Sequence, residues 1–358
     1  MNDRGEVHSP PGLVQEIYDL LMPLLKDDVH IDVYEPGVGP GIFYDLYPYK
    51  DKTTYHGCDL FHNRPPFVHG DFFDQTLSSY DLVMGNLPFN QGIVHTPCNK
   101  TSTKKSKTIW TSMLKKCIEH IRPNKYGAFI IPCIWLKPDR AKIHELLMSK
   151  KILYLKTYDC AESNKMFQYQ CQTPVCYVIF QNTPEPQLNL WNHTAFIRFP
   201  LVSCIPTKNV SLMLKSIQYI QQHNLKTLSP IKIANTKPMT RQTDGYFCIE
   251  SITHHIHGFH ATTPGSYHGI PKIILANKRL PIPFADYEGA YGLYGRDKYI
   301  VVGESLETVY TFLNDRLIQQ IIKSFCIRMN FYELHVFQYL PDPRYCDVED
   351  YKLKIQSL

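Results

Sequence analysis

Within the first ninety residues, four short apolar runs each break off beside an acid or an amide. Residues 31–34 (Ile-Asp-Val-Tyr) close on Glu35-Pro36-Gly37, and 53–58 (Thr-Thr-Tyr-His-Gly-Cys) end at Asp59. The run 67–73 carries Asp71, and 80–84 (Tyr-Asp-Leu-Val-Met) passes into Gly85-Asn86. Helical spacing fills the intervals. Residues 12–26 have apolar positions at helical spacing, interrupted by Pro23, and 108–121 and 139–150 read as further helices. Strand-like runs continue at 126–131, 152–158 and 174–180. This alternation predicts an α/β sheet covered on both faces. In such sheets the polar residues gathered at the carboxyl ends of the strands line the ligand crevice.

The pattern stops near residues 182–187, where two prolines fall within six residues and predict a linker. With 358 residues, about 150 per domain gives roughly two domains. The expected boundaries are 1–183 for an α/β domain and 184–358 for a second, mixed α/β domain rich in Pro, Gly, Tyr, His and Lys. Hydrophobic content of 44% and charged content of 20% exclude a disordered chain. The net charge of +5 permits a nucleic-acid partner without requiring one. The cysteines number eleven, an odd count without C-x-x-C spacing, and read as reduced thiols of an intracellular protein. The polar N-terminus lacks an apolar signal core, and no run of about 18 apolar residues predicts a membrane span. His254, His255, His257 and His260 lack a matching set of cysteines or carboxylates and read as a polar loop; no metal is expected.

Glu35-Pro-Gly37-Val-Gly39-Pro-Gly41 places three glycines at alternate positions, which lets backbone approach a ligand closely. An ordinary tight turn is the simpler account of the same residues. Asp59 lies 18 residues beyond Gly41, where a carboxylate can accept hydrogen bonds from both hydroxyls of a ribose. Asp71 can accept from an adenine amino group with Phe72 against the ring, or cap a following helix. Asn86-Leu87-Pro88-Phe89 is either a strand-ending turn or a reactive loop.

Taken in order, Glu35-Pro36-x-x-Gly39-x-Gly41, Asp59, Asp71 and Asn86-Leu87-Pro88-Phe89 resemble the motifs of S-adenosylmethionine-dependent adenine-N6 DNA methyltransferases of the gamma motif order. Leu87 departs from that family's usual Pro at the second catalytic position. The resemblance implies a Rossmann-like class I methyltransferase sheet, mostly parallel with one antiparallel strand, followed by a mixed α/β target-recognition domain. It implies S-adenosylmethionine as cofactor, held by Ser9, Pro10, Glu35, Gly37, Gly39, Gly41, Asp59, Leu60, Asp71 and Phe72. Ser9-Pro10 stands for the family's Thr-Pro segment; an N-cap is the other account of Ser9. It also implies catalysis at Asn86, Leu87, Pro88 and Phe89. There Asn86 Oδ1 and the Leu87 carbonyl accept the two amino hydrogens of a flipped adenine, and Phe89 stacks on the base.

Phe167, before the strand 174–180, matches an aromatic that holds the flipped base in that family; a core phenylalanine is the alternative. Lys104 and Lys105, just after the catalytic loop, are candidate phosphate contacts in a segment expected to be disordered without substrate. Residues 271–299 resemble a target-recognition region, with Lys272, Lys278, Arg279 and Arg296 as DNA contacts. Double-stranded DNA is the implied partner, with a separate cognate endonuclease left open. Two other accounts remain. Asn86-Leu-Pro-Phe-Asn90 also resembles ribosomal RNA adenine dimethyltransferases, and the fold can serve as a non-catalytic cofactor-binding subunit.

Overall fold

A computed structural model describes residues 7–91, 107–168, 171, 173–234, 236, 238–252, 255–276, 283–325, 327 and 333–356. The chain divides into two compact units, Met1–Ser203 and Cys204–Leu358.

The first unit opens with helix α1 (Pro11–Leu21), which starts on a proline that needs no amide partner at that position. Leu13, Val14, Ile17, Tyr18 and Leu21 form its buried stripe. Its last turn tightens at Met22–Leu24, around Pro23. Strand β1 (Ile31–Pro36), short helix α2 (Ile42–Leu46), β2 (Thr53–Asp59), β3 (Val68–His69) and β4 (Tyr80–Asn86) follow. The third apolar run is largely not a strand: only two residues pair, and Phe72–Asp74 coil into a 3₁₀ turn because Asp71 accepts the Phe73 amide.

A two-stranded stem, β5 (Asn90–Gln91) and β6 (Lys107–Thr108), leads to helix α3 (Trp110–Glu119). Then come β7 (Ile121–Pro132), α4 (Ile143–Met148), β8 (Lys151–Tyr158), α5 (Cys160–Met166), β9 (Val175–Gln181), β10 (Gln187–Trp191) and β11 (Phe196–Arg198). The nine-stranded sheet runs β11-β10-β8-β9-β7-β4-β1-β2-β3. Strand β9 is antiparallel to both β7 and β8, the one antiparallel strand expected, and edge strand β11, antiparallel to β10, is a second such strand. The central strands explain the unbroken apolar runs: Tyr80–Gly85 of β4 and Val175–Phe180 of β9 are buried throughout. Leu82, Val83 and Met84 each gain about 1.5–3 kcal/mol by that burial.

Residues 182–187 are not a linker between domains. They turn β9 into β10, which pairs with β8, so the first unit extends to residue 203 rather than 183. The turn is fixed by Asn182, which accepts from Lys150 Nζ at 2.8 Å and donates to the Ile121 carbonyl at 2.7 Å. Two prolines therefore shape a turn inside the sheet.

The chain order reverses at β1, which has β2 on one side and β4 on the other. The crevice outside the carboxyl ends of these strands is the expected ligand position of a doubly wound sheet. At the opposite ends, Arg122 joins Asp32 and Asp81 at 2.7 and 2.6 Å and locks β1, β4 and β7 together.

The second unit begins with helix α6 (Val210–Gln222) and contains two four-stranded sheets. Its strands are β12 (Ile231–Lys232), β13 (Arg241–Gln242), β14 (Tyr246–Ile252), β15 (Ile256–Ala261), β16 (Lys272–Ala276), β17 (Phe284–Asp286), β18 (Gly292–Leu293) and β19 (Lys298–Val302). The orders are β12-β19-β16-β17 and β13-β15-β14-β18. Ile249 and Leu293 of one sheet and Ile274 and Ile300 of the other share one core. Helices α7 (Leu306–Asn314), α8 (Arg316–Lys323) and α9 (Val348–Gln356) complete it. In α8, Leu317, Ile318, Ile321 and Ile322 form a single buried face, and Asp315 caps the first turn at Leu317 N, 2.8 Å. Among the described residues, no helix is long and apolar enough to cross a membrane.

Candidate active site

The glycine loop after β1 folds as it does because three of its residues have left-handed backbone. Gly37, Gly39 and Gly41 lie at φ 79°, 55° and 89°. The amides of Gly37 and Val38 donate to the Cys58 carbonyl at 2.9 and 3.1 Å, which ties the loop to the end of β2. Arg64 covers the far end. Its guanidinium donates to the Pro40 carbonyl, pairs with Asp45 at 2.5 Å and occupies the space where a Gly41 side chain would stand. No sequence signal points to Arg64, because its partners lie 19 and 24 residues upstream. Gly39, by contrast, has no heavy atom within 4 Å of the Cβ position. Gly41→Ala is therefore expected to cost more stability than Gly39→Ala. Both carry about 1–2 kcal/mol of left-handed backbone strain, and only the first also displaces Arg64. Denaturant unfolding of the two variants measures the difference; equal losses would mean that Arg64 yields freely.

Asp59 uses its carboxylate to join loops. Oδ2 accepts from Gly39 N at 2.7 Å, and Oδ1 accepts from Phe61 N and His62 N, both at 2.8 Å. Leu60, next to it, is exposed, and so is Phe61. Asp71 takes the capping role weighed for it, with Oδ1 on Phe73 N at 2.9 Å. Phe72 is buried against Tyr34, with the Lys116 ammonium 4.9 Å from its ring, while its neighbour Phe73 is the outward aromatic. Phe72, the ring expected beside a bound base, is drawn into the core between Tyr34 and α3.

Asn86 ends β4. Its Nδ2 donates to the Val7 carbonyl at 2.9 Å, which fixes the orientation of the amide. Its Oδ1 is buried and, among the described residues, has no hydrogen-bond partner. A buried acceptor left alone costs about 1–3 kcal/mol, so its occupant is the central question of this site. Pro88 packs toward the glycine loop, with its Cδ 3.5 Å from the Cβ position of Gly37. Leu87 and Phe89 turn their side chains inward. The segment before α1 is brought to the same place: Val7 holds Asn86, and the His8 ring meets His62 edge-on at 6.4 Å. Ser9 is buried and is not the helix cap; Pro10 holds that position without a side-chain bond.

Glu35 stands between the two loops. Its carboxylate is buried and accepts from the Tyr55 hydroxyl at 2.7 Å. Its Cγ lies 3.5 Å from the Cβ position of Gly85, the residue before Asn86. Burial pushes the Glu35 carboxyl up to about 8, against the lowering effect of the Tyr55 bond, with Asp59 adding to the rise. Burial also holds the Tyr55 hydroxyl well above the usual tyrosine range, so Tyr55 is the donor.

The remaining candidates separate. Phe167 is buried at the end of α5, consistent with the core alternative. Lys104, Lys105, Lys278 and Arg279 lie outside the described residues. Arg296 is exposed in the second unit. Lys272 is corrected: it is not a surface cation. Its side chain is wholly buried in an ion pair with Asp286. Its amine also donates to the Tyr267 and Ile270 carbonyls at 3.0 and 3.1 Å.

No protein-family model matches this chain, and no curated protein sequence matches it. Solved structures do. A Listeria monocytogenes protein described as a class I S-adenosylmethionine-dependent methyltransferase is similar over 52% of this chain and 66% of its own, at 13% identity and TM-score 0.40. The M protein of the type I restriction enzyme EcoKI is similar over 52% of this chain and 48% of its own, at 14% identity and TM-score 0.37. The type IIG restriction endonuclease BpuSI is similar over 100% of this chain and 62% of its own, at 9% identity and TM-score 0.48. The chain spans less than two thirds of each of these structures.

Proposed function

We propose that the protein is an S-adenosylmethionine-dependent DNA methyltransferase that acts on adenine N6. One observation carries this reading: a buried acceptor without a partner among the described residues, Asn86 Oδ1, beside a glycine loop at the switch point of the sheet. The residues fit the cofactor. Gly37, Gly39 and Gly41 offer close backbone approach, and the reading assigns Asp59 and Asp71, which follow β2 and β3, to ribose and base in addition to the backbone amides they already accept from. When bound, the cofactor supplies a methyl group on a cationic sulfur.

Everything else falls to the chain. Adenine N6 is a poor nucleophile because its lone pair is delocalised into the ring. Acceptance of both amino hydrogens, by Asn86 Oδ1 and the Leu87 carbonyl, favours a pyramidal nitrogen with its lone pair free. Because the second acceptor is backbone, leucine at 87 serves as well as proline. Val7 prevents the Asn86 amide from turning its donor side to the base. No general base is needed, since orientation and fixed dipoles carry much of the rate. A paired base must first leave the duplex, at a cost of a few kcal/mol. Arg296 and the basic residues 278 and 279 are the proposed DNA contacts, and Lys104 and Lys105 the proposed phosphate contacts near the flipped base. The reading places the protein inside the cell, with or without a cognate endonuclease.

A second reading, ribosomal RNA adenine dimethylation, is favoured by the spelling Asn86-Leu-Pro-Phe-Asn90. Purified protein incubated with methyl-labelled cofactor and either unmethylated duplex DNA or unmodified ribosomal RNA separates the two. N6-methyladenine in DNA is the expected product. Label confined to RNA as dimethyladenine would replace the DNA reading, and binding of cofactor without transfer to either would leave a non-catalytic subunit.

A further inference from the structure

The Lys116 ammonium, on α3, donates to three carbonyls at once: Phe72 at 3.0 Å, Phe73 at 3.1 Å and Gln75 at 2.9 Å. Those bonds use every proton it has. Two of the residues it grips are the two that hold Asp71. Phe73 N donates to Asp71 Oδ1 at 2.9 Å, and Gln75 Nε2 donates to the Asp71 carbonyl at 3.0 Å. Among the described residues Asp71 Oδ2 has no hydrogen-bond partner, so one carboxylate oxygen is tied down and the other is left to accept. This is more than the turn needs to stay folded. The Phe73 carbonyl is at the surface, where water could serve it, and ordering a lysine side chain costs conformational entropy. What the lysine adds is fixity, and it comes from a fixed element. Trp110, Met113, Leu114, Cys117 and Ile118 bury one face of α3. Its ends are tied as well: Ile109 N donates to the Phe89 carbonyl at 3.2 Å, and the His120 carbonyl accepts from Tyr80 N at 2.8 Å.

We propose that Lys116 is a positioning residue for the donor's base: through Phe73 and Gln75 it holds Asp71 in place, so that the site selects a 6-amino purine over a 6-oxo purine. The proposal rests on the reading above, in which Asp71 meets the base of the methyl donor. Hypoxanthine carries an oxygen where adenine carries its amino group, with an N1–H beside it. A carboxylate oxygen held in place faces that oxygen and is repelled. A carboxylate on a loose turn can shift to the N1–H and accept from it instead. Discrimination therefore depends on how firmly the turn is held, because a site rejects an analogue only if its polar groups cannot move to suit it.

Calorimetric titration of the full chain with S-adenosylhomocysteine and with S-inosylhomocysteine tests this without catalysis. The wild-type protein is expected to bind the adenosine compound about 10- to 100-fold more tightly, the effect of one hydrogen bond to a charged group. In Lys116→Met, which keeps an apolar stem against Phe72 and removes the donors, that ratio should fall about tenfold. A general loss of stability would weaken both ligands alike and leave the ratio where it was. An unchanged ratio in Lys116→Met, or a wild-type ratio near one, overturns the proposal and leaves the cofactor assignment standing. Failure of the wild-type protein to bind either compound overturns both. Should Lys116→Met not fold, Lys116→Gln decides on the same ratio. Its side chain is one atom shorter and keeps two donor protons, so a smaller fall is expected and an unchanged ratio again overturns the proposal.

Discussion

Asn86→Ala is expected to lower the rate of methyl transfer by about 10²–10³-fold, the usual effect of removing one fixed hydrogen-bonding group from a site where charge rearranges. Affinity for the cofactor should stay within about twofold, because none of the glycine-loop bonds involves Asn86. The substitution also removes the bond to Val7, which costs about 1 kcal/mol of stability, so the variant should remain folded. Asn86→Asp is the informative companion. It keeps an acceptor toward the base but sets a carboxylate against the Val7 carbonyl, where a donor is needed. It should therefore retain more activity than alanine at a greater loss of stability. Single-turnover rates, with a thermal melt for each variant, provide the comparison. If Asn86→Ala keeps more than a tenth of the wild-type rate, the orphaned oxygen is not where the chemistry is done.

The parts of this site that the sequence disclosed are those written into local chemistry. Three glycines at alternate positions announce a loop with left-handed backbone, and the loop has it at all three. Strand runs with no polar alternation announce a sheet buried on both faces, and β4 and β9 are so buried. What stayed hidden depends on partners distant in the chain. Arg64 on the glycine loop, Val7 on Asn86 and Tyr55 on Glu35 are each brought together by topology, across 24, 79 and 20 residues. The errors have the same origin. Asn182 and two prolines look like the punctuation of a domain boundary. Only the pairing of β10 with β8 shows that they turn within one sheet. Phe72 and Phe73 are chemically alike, and which faces out depends on Tyr34 and Lys116, not on either phenylalanine.

Lys272 is the clearest case, and it yields the second large effect. A lysine beside a resemblance to a recognition region invites a phosphate-contact reading. In the fold, its three ammonium protons are all used: by Asp286, and by the carbonyls of Tyr267 and Ile270. Asp286 in turn accepts from the amides of Ala290 and Tyr291 at 2.8 and 3.1 Å. The pair thus binds the turn 267–270 to the turn 286–291, and Gly289, at φ 73°, lets the two backbones touch. Removing one partner strands a buried charge. Lys272→Met is expected to destabilise the second unit by about 3–5 kcal/mol. Lys272→Met combined with Asp286→Asn removes both charges and keeps an acceptor for one of the two amides, which Asp286 accepts on different oxygens. It should recover most of that loss, because a buried pair contributes little net stability against a neutral replacement. A double-mutant cycle by denaturant unfolding measures the coupling. If Lys272 instead contacted phosphate, the single variant would melt normally, bind DNA more weakly and show a shallower salt dependence. That result would mean the lysine is not held by Asp286.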